Sequence, residues 1–192
     1  MRIIFTALVT CAVVVASCGG SNSPTSPSGT TGLLNLQLTD SPYGDAKSVL
    51  VTFSTVTAHR DTEGDFTTLP FAEGTTARTC DLKKLEDAQD VLGVGTLPSG
   101  HYTQVRLVVS SATIYFEHAA EGDACAPTVI APEGRSASLE IPSGEVKLNR
   151  QFDVPEGGST TMLLDFDGDR SIRETGNGRY MMTPVITVQS VQ

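Results

Sequence analysis

A run of three aspartates, three histidines and one Tyr/Arg pair are the residues here whose types and spacing could do chemistry. Asp165, Asp167 and Asp169 alternate in Leu164-Asp165-Phe166-Asp167-Gly168-Asp169. Alternate side chains of an extended chain share one face, so the spacing predicts three carboxylates at a strand end. Such an oxygen-rich set is what a hard cation such as Ca²⁺ takes. The stretch matches an EF-hand loop only in part: Arg170 stands where the turn glycine belongs, and no Glu closes the twelfth position. The competing reading is a solvated acidic turn whose side chains cap backbone amides. Asp40 and Asp45 are further carboxylates whose distance from this stretch the sequence does not set.

His59, His101 and His118 are the only histidines. A hydrolase needs a nucleophile, a base and an orienting group in contact. No nucleophile-elbow glycine pattern surrounds any serine, and the serines cluster in turns and near the N-terminus. The expectation is therefore that no residue is catalytic and that the histidines lie on exposed strand ends. Tyr102 and Arg106, four apart, are predicted on one face of a strand. They read either as a ligand contact or as structure, with Tyr102 packing at a sandwich corner and Arg106 pairing with a carboxylate.

The N-terminus says where such a domain would live. Met1-Arg2 is basic, and Ile3 to Val15 is an uncharged apolar run. This is the layout of a secretory signal, too short for a span of roughly 20 apolar residues. Val15-Ala16-Ser17-Cys18 resembles a bacterial lipobox. The resemblance implies cleavage of a signal peptide over 1–17, a diacylglycerol on the Cys18 thiol and acylation of the new amine, with chains such as palmitate. Burying methylenes gives roughly 0.8 kcal/mol each, and two or more chains anchor stably. The competing reading is an ordinary signal peptide with an incidental cysteine. Residues 18–32 then form a Ser/Pro/Gly-rich tether with no apolar face to bury. No acidic residue directly follows Cys18, which favours the outer over the inner membrane.

The remaining 33–192, about 160 residues, are the size of one domain and can bury roughly 70% of their unfolded surface. With 22 acidic against 13 basic residues and net charge −9, the surface repels nucleic acid phosphates and anionic membranes, so both are poor partners and no nucleic acid is expected. Cys80 and Cys125 are the cysteines left after the signal and the lipid site are set aside. In an export context an even pair predicts a disulfide; the alternative is two buried free thiols. With no Trp and 6% aromatics, a carbohydrate module is disfavoured. No glycine loop leads from a strand into a helix to cradle phosphate.

The elements that must position these residues are mostly strands. Leu34, Leu36 and Leu38 alternate with polar residues, and so do Val49, Val51 and Phe53, and Met162, Leu164 and Phe166. Further strands are predicted over 65–69, 102–109 and 112–118, with a hairpin of 136–141 and 146–152 across Pro142-Ser143-Gly144. The last strand, 180–191, contains Pro184 and so belongs at an edge or a bulge. Asp81 to Gly93 reads as one short helix or a pair of turns, because Leu82, Leu85, Ala88 and Leu92 recur at helical spacing. Eight or nine short strands between turns predict a mainly all-β chain, an antiparallel β-sandwich with one short helix.

Five stretches then appear in order: Leu36-Gln37-Leu38-Thr39-Asp40-Ser41-Pro42, Leu97-Pro98-Ser99-Gly100-His101-Tyr102, Ile141-Pro142-Ser143-Gly144, Leu164-Asp165-Phe166-Asp167, and Gly176-Asn177-Gly178-Arg179-Tyr180 followed by Pro184-Val185-Ile186. Together, over 33–188, they resemble the prokaryotic domain of unknown function numbered forty-three eighty-two, typically found in exported lipoproteins. Gly144-Glu145-Val146-Lys147-Leu148 is shorter than the family pattern, so a difference is expected there. The Pro-x-Gly-x-Tyr stretch is also similar to the strand entry of transthyretin-like and collagen-adhesin B-type sandwiches, a likeness of fold that does not give function; the sandwich expected is transthyretin-like or immunoglobulin-like. The resemblance implies no activity. The expectation is a non-enzymatic module without a cofactor, anchored to the cell envelope through Cys18. A calcium-dependent adhesion domain and a hydrolase are the alternatives.

Overall fold

The computed structural model describes residues 30–41, 43–62 and 64–192. The signal segment, Cys18 and the tether up to residue 29 lie outside the described residues. Among the described residues fourteen strands form two sheets, with one four-residue α-helix beside them. The mainly-β, sandwich-like architecture expected from the alternating patterns is what forms.

The four-stranded sheet has the order β14-β11-β1-β5, from β1 (Thr31–Ser41), β5 (Asp90–Pro98), β11 (Ser159–Asp167) and β14 (Ile186–Val191). The ten-stranded sheet is built on the long pair β2 (Ser48–Arg60) and β6 (Gly100–Tyr115). It adds β3 (Phe66–Thr68), β4 (Arg78–Asp81), β7 (Cys125–Ala126), β8 (Ser136–Glu140), β9 (Glu145–Leu148), β10 (Phe152–Val154), β12 (Ile172–Gly176) and β13 (Arg179–Met182). β1 begins two residues ahead of the boundary read from composition, and Gly32 already pairs with Leu97.

The leucine, valine and methionine alternations all point inward. Leu34, Leu36 and Leu38 of β1 meet Val49, Val51 and Phe53 of β2 and Met162, Leu164 and Phe166 of β11 in one core cluster. Phe53 and Phe166 meet edge-to-face with ring centroids 6.3 Å apart, which joins the sheets. Leu50, Tyr115 and Ala120 form a smaller second cluster, with Val129 against it.

Several expectations are corrected. The sheets are mixed, not purely antiparallel: β1 pairs in parallel with β11, and β8 with β13. Period two sets which face a strand buries but not the direction of its neighbour. Asp81–Gly93 is no α-helix. It is a 3-10 turn over Leu82–Leu85, then a connection, then β5. Leu82, Leu85 and Leu92 are all buried, so a turn followed by a strand reproduces helical spacing. The short α-helix is instead α1 (Gly168–Ser171).

The 136–152 hairpin does not form either. β8, β9 and β10 each pair antiparallel with β6, at Thr113–Tyr115, Val105–Val108 and Gly100–Tyr102 respectively. The chain thus runs one way along a single edge of β6, and Pro142-Ser143-Gly144 is a break in that strand. A Cβ on Gly144 would lie 2.0 Å from the Val109 carbonyl oxygen, so only glycine allows Val109 N to donate to Gly144 O at 2.9 Å.

β6 itself was expected as two strands. It is one, broken in register against β2 opposite Phe53 and near Tyr102. Its buried face changes parity there: Tyr102, then Val105, Leu107 and Val109, then Ala112 and Ile114. This is how bulges act. Finally, 180–191 is two strands. β13 stays in the large sheet, and the chain crosses at Pro184 to β14, an edge of the small one. Ser171 secures the crossing, as its carbonyl accepts from Thr183 N and its Oγ from Val185 N, both at 2.8 Å. Asn177 (φ 54°) and Gly178 (φ 68°) make the β12–β13 turn, the left-handed pair that a two-residue hairpin needs.

Candidate functional site

The acidic stretch sits where parallel strands β1 and β11 end together, with Thr39 opposite Asp165 and Ser41 opposite Asp167. Extended geometry stops at Asp167, whose Oδ1 accepts from Arg170 N at 2.9 Å and caps α1. Asp169 is therefore on the helix and exposed, out of line with the other two. Asp165 Oδ2 accepts from Gln189 Nε2 at 3.1 Å. Among the described residues no three His, Cys, Asp or Glu side chains gather to hold a metal ion.

Asp40 comes to this place from β1. It is 4% exposed. Its Oδ1 accepts from Gly168 N at 3.2 Å, while its Oδ2 is buried with no hydrogen-bond partner among the described residues. Burial raises its pKa to about 8; the Gly168 hydrogen bond opposes this in part, and Asp165 adds to it. At neutral pH this carboxyl is mostly protonated. Tyr43, close by, is also raised, by burial first and Asp45 next.

The histidines fall in three separate places. His101 Nδ1 lies 2.8 Å from Asp153 Oδ1 on the open surface, a pair set by the register of β6 and β10. His118 borders a depression of about 450 Å³ beside the exposed Ile130, with Glu121 and Glu133. His59 Nδ1 lies 3.1 Å from Thr103 Oγ1. Among the described residues no serine hydroxyl bonds any histidine.

The register breaks in β6 separate Tyr102 from Arg106, which were expected on one face. Tyr102 is fully buried, stacked on Phe152 at 5.2 Å, and its hydroxyl donates to Pro98 O at 2.7 Å. That is the corner role foreseen for it. Arg106 faces outward and, among the described residues, pairs with no carboxylate. Its guanidinium carbon lies 3.8 Å from the centre of the Phe66 ring, and its Nε donates to Gln104 Oε1. Gln104 Nε2 donates in turn to Asn149 Oδ1. His59 packs on the same Phe66 ring at 4.8 Å. His59, Phe66, Thr103, Gln104, Arg106 and Asn149 thus line a shallow depression of about 300 Å³. Strands β2, β3 and β6 and the residue after β9 supply it. From sequence, only Arg106 and His59 drew notice. Phe66, an aromatic on a short polar strand, was the available signal for the rest.

Cys80 and Cys125 form the expected disulfide and stand directly opposite on antiparallel β4 and β7. Arg78 and Asp90 reinforce the join. Arg78 Nη2 donates to Cys125 O at 2.9 Å, and Cys125 N donates to Asp90 Oδ2 at 2.8 Å.

None of the curated proteins and none of the solved structures compared with the chain matches it. Residues 31–184 match the family described as a domain of unknown function, DUF4382. The match begins at the first residue of β1 and ends within the crossing after β13. It takes in both sheets, the disulfide and the depression around Arg106, and the chain belongs to that family.

Proposed function

We propose that this protein is an exported lipoprotein of the bacterial envelope, held to the outer membrane through Cys18, whose β-sandwich serves as a non-enzymatic binding or structural module. The observation that carries the reading is the Cys80–Cys125 disulfide. Such bonds persist in oxidising compartments and are rare in the cytosol, which agrees with the secretory layout of residues 1–17. The sequence spacing supports it too, since β1 starts at Thr31, a short polar run after Cys18. The His101–Asp153 pair, 2.8 Å apart on the open surface, is the place where the non-enzymatic reading is tested.

The test is expression of the full chain in a Gram-negative host fed labelled palmitate. The wild-type chain is expected in the outer-membrane fraction carrying label, and Cys18→Ser is expected to lose it. A wild-type chain released unlabelled and soluble overturns the anchor. Esterase, peptidase or glycosidase turnover abolished by His101→Ala overturns the non-enzymatic part.

A further inference from the structure

We infer that the depression around Arg106 is a binding site for a hydroxylated carboxylate, such as a uronic-acid unit, held by a charged fork and not by the stacking rings whose scarcity disfavours a carbohydrate module. This gives a ligand class to the binding module proposed above. Four observations lead there. The chain carries net charge −9, yet the six side chains lining this depression include no acid and one permanent cation. The cation is held in place: Phe66 covers one face of the Arg106 guanidinium, and Gln104 occupies its Nε. Its remaining N–H groups are the two Nη edges, which have no protein partner among the described residues and are not buried. With Nε taken, the end-on fork of two parallel donors is what is left for an oxyanion, and that fork matches a carboxylate.

The neighbours fit the rest of such a ligand. Thr103, Gln104 and Asn149 bring hydroxyl and amide groups of both hydrogen-bonding senses, suited to sugar hydroxyls. His59, fixed by Thr103 and the Phe66 ring, keeps Nε2 for a further polar contact. One guanidinium balances a monoanion. A phosphate dianion would meet the same single charge inside the repulsive field of an acidic protein, so the carboxylate is preferred. The space, about 300 Å³, takes a sugar ring or two, and its shallowness sets a weak affinity, with Kd on the order of 1 mM.

The test is ligand-observed saturation-transfer NMR on the full chain in detergent, with galacturonate, oligogalacturonate, galactose and inorganic phosphate as probes. Galacturonate is expected to bind and galactose not. Arg106→Gln should weaken galacturonate at least about tenfold, Arg106→Lys less, and Asn149→Ala by roughly two- to fivefold. Asn149 is exposed, so its variant carries the test should Arg106→Gln unfold, which thermal unfolding of each variant checks. Tighter binding of the oligomer than the monomer assigns the ligand to a polysaccharide; equal binding assigns it to a free sugar acid. The inference is overturned by galactose binding as well as galacturonate, by phosphate binding more tightly, by no binding at 50-fold the expected Kd, or by variants that bind unchanged. A chain that takes up palmitate but ignores galacturonate fails this inference alone.

Discussion

Each sheet buries one aspartate, and the two are treated in opposite ways. Asp81, at the end of β4 in the large sheet, is 0% exposed and accepts three hydrogen bonds: from Ser48 Oγ at 2.7 Å, Val49 N at 3.0 Å and Lys83 N at 3.2 Å. Asp40, near the end of β1 in the small sheet, is about as buried and accepts one, at 3.2 Å. The difference lies in what surrounds each. Asp81 faces the start of β2 and the first amides of a 3-10 turn, both of which offer unpaired N–H groups. Asp40 is desolvated first of all and feels Asp165 and Asp167, which add negative charge, against the Gly168 amide and the charge of Lys83, which only partly offset them. Burial of a carboxyl is tolerable when donors replace water; where they are missing, the group keeps its proton. Asp81 is a fastener, and Asp40 is a site of pH-dependent weakness.

The largest expected effect tests the fastened side. Cys80 adjoins Asp81, and its bond to Cys125 closes a separation of 45 residues. The double variant Cys80→Ser/Cys125→Ser should lose about 4 kcal/mol in urea unfolding on the chain-entropy relation. β7 should stay docked through Arg78 and Asp90, so amide exchange at Cys125→Ser should remain slow. Rapid exchange there would show that the bond alone holds β7.

Asp81→Ala comes next. It strands the Val49 and Lys83 N–H groups and the Ser48 hydroxyl in or near the core, and about 3 kcal/mol of destabilisation is expected. Asp81→Asn keeps one carbonyl acceptor and should cost less. Equal losses for the two variants would mean that charge, not acceptor count, secures this end.

Asp40 should behave in reverse. Its folded pKa, about 8, lies above the ordinary value of 3.8, so between these values the native state binds more protons than the unfolded chain. Stability then falls as pH rises from about 4 and levels off above about 8. Asp40→Asn resembles the protonated form and carries no such penalty. It should match wild type near pH 4 and exceed it by roughly 2 kcal/mol or more at pH 8. Parallel pH profiles for the two proteins would sink the neutral-Asp40 reading.

The two aspartates also mark how far the sequence reaches. Alternation placed Leu34, Leu36 and Leu38 on the core face, and Asp40 continues that parity. Its burial was therefore implicit in a pattern read only as far as the leucines. What brings Asp165 and Asp167 beside it is the parallel pairing of β1 with β11, a contact between residues over 120 positions apart that no local periodicity encodes. The same limit hid the depression around Arg106. The register breaks in β6 near Tyr102 and opposite Phe53 decide which side chains face out, and a bulge depends on the partner strand as much as on its own sequence. The Asp81–Gly93 segment misled for a different reason. Spacing of three and four is satisfied by a 3-10 turn that buries Leu82 and Leu85 and by a strand that buries Leu92, whereas Ala88 is exposed. The Cys80–Cys125 pairing was expected without geometry, because reading Cys11 as part of a signal and Cys18 as a lipid site leaves two cysteines to pair.

The smallest expected effect concerns calcium, and it sharpens the contrast from the side of the acidic end. A cation bound only by the native state raises stability by RT ln(1 + [L]/Kd), so a tight site would lift the unfolding temperature by several degrees. At the end of β11 the carboxylates already have employment: Asp165 with Gln189, and Asp167 with the Arg170 amide and, at 3.8 Å, its guanidinium. Asp169 stands apart on α1. A cation would have to break the cap and draw Asp169 back into line, so the shift between about 1 mM calcium and excess chelator is expected to be under about 1 °C. Asp167→Ala should lose about 1 kcal/mol through its cap, and by the same amount with or without calcium. A calcium-dependent rise that vanishes in Asp167→Ala would mean that these donors rearrange around an ion. It would also give Asp40 a cationic neighbour beyond Lys83, and its raised pKa would fall with metal loading. A calcium titration at pH 7 with proton release as the readout therefore separates the two accounts: uptake without release, or no uptake at all, leaves Asp40 the protonated acid, with one hydrogen bond from Gly168, that its surroundings make it.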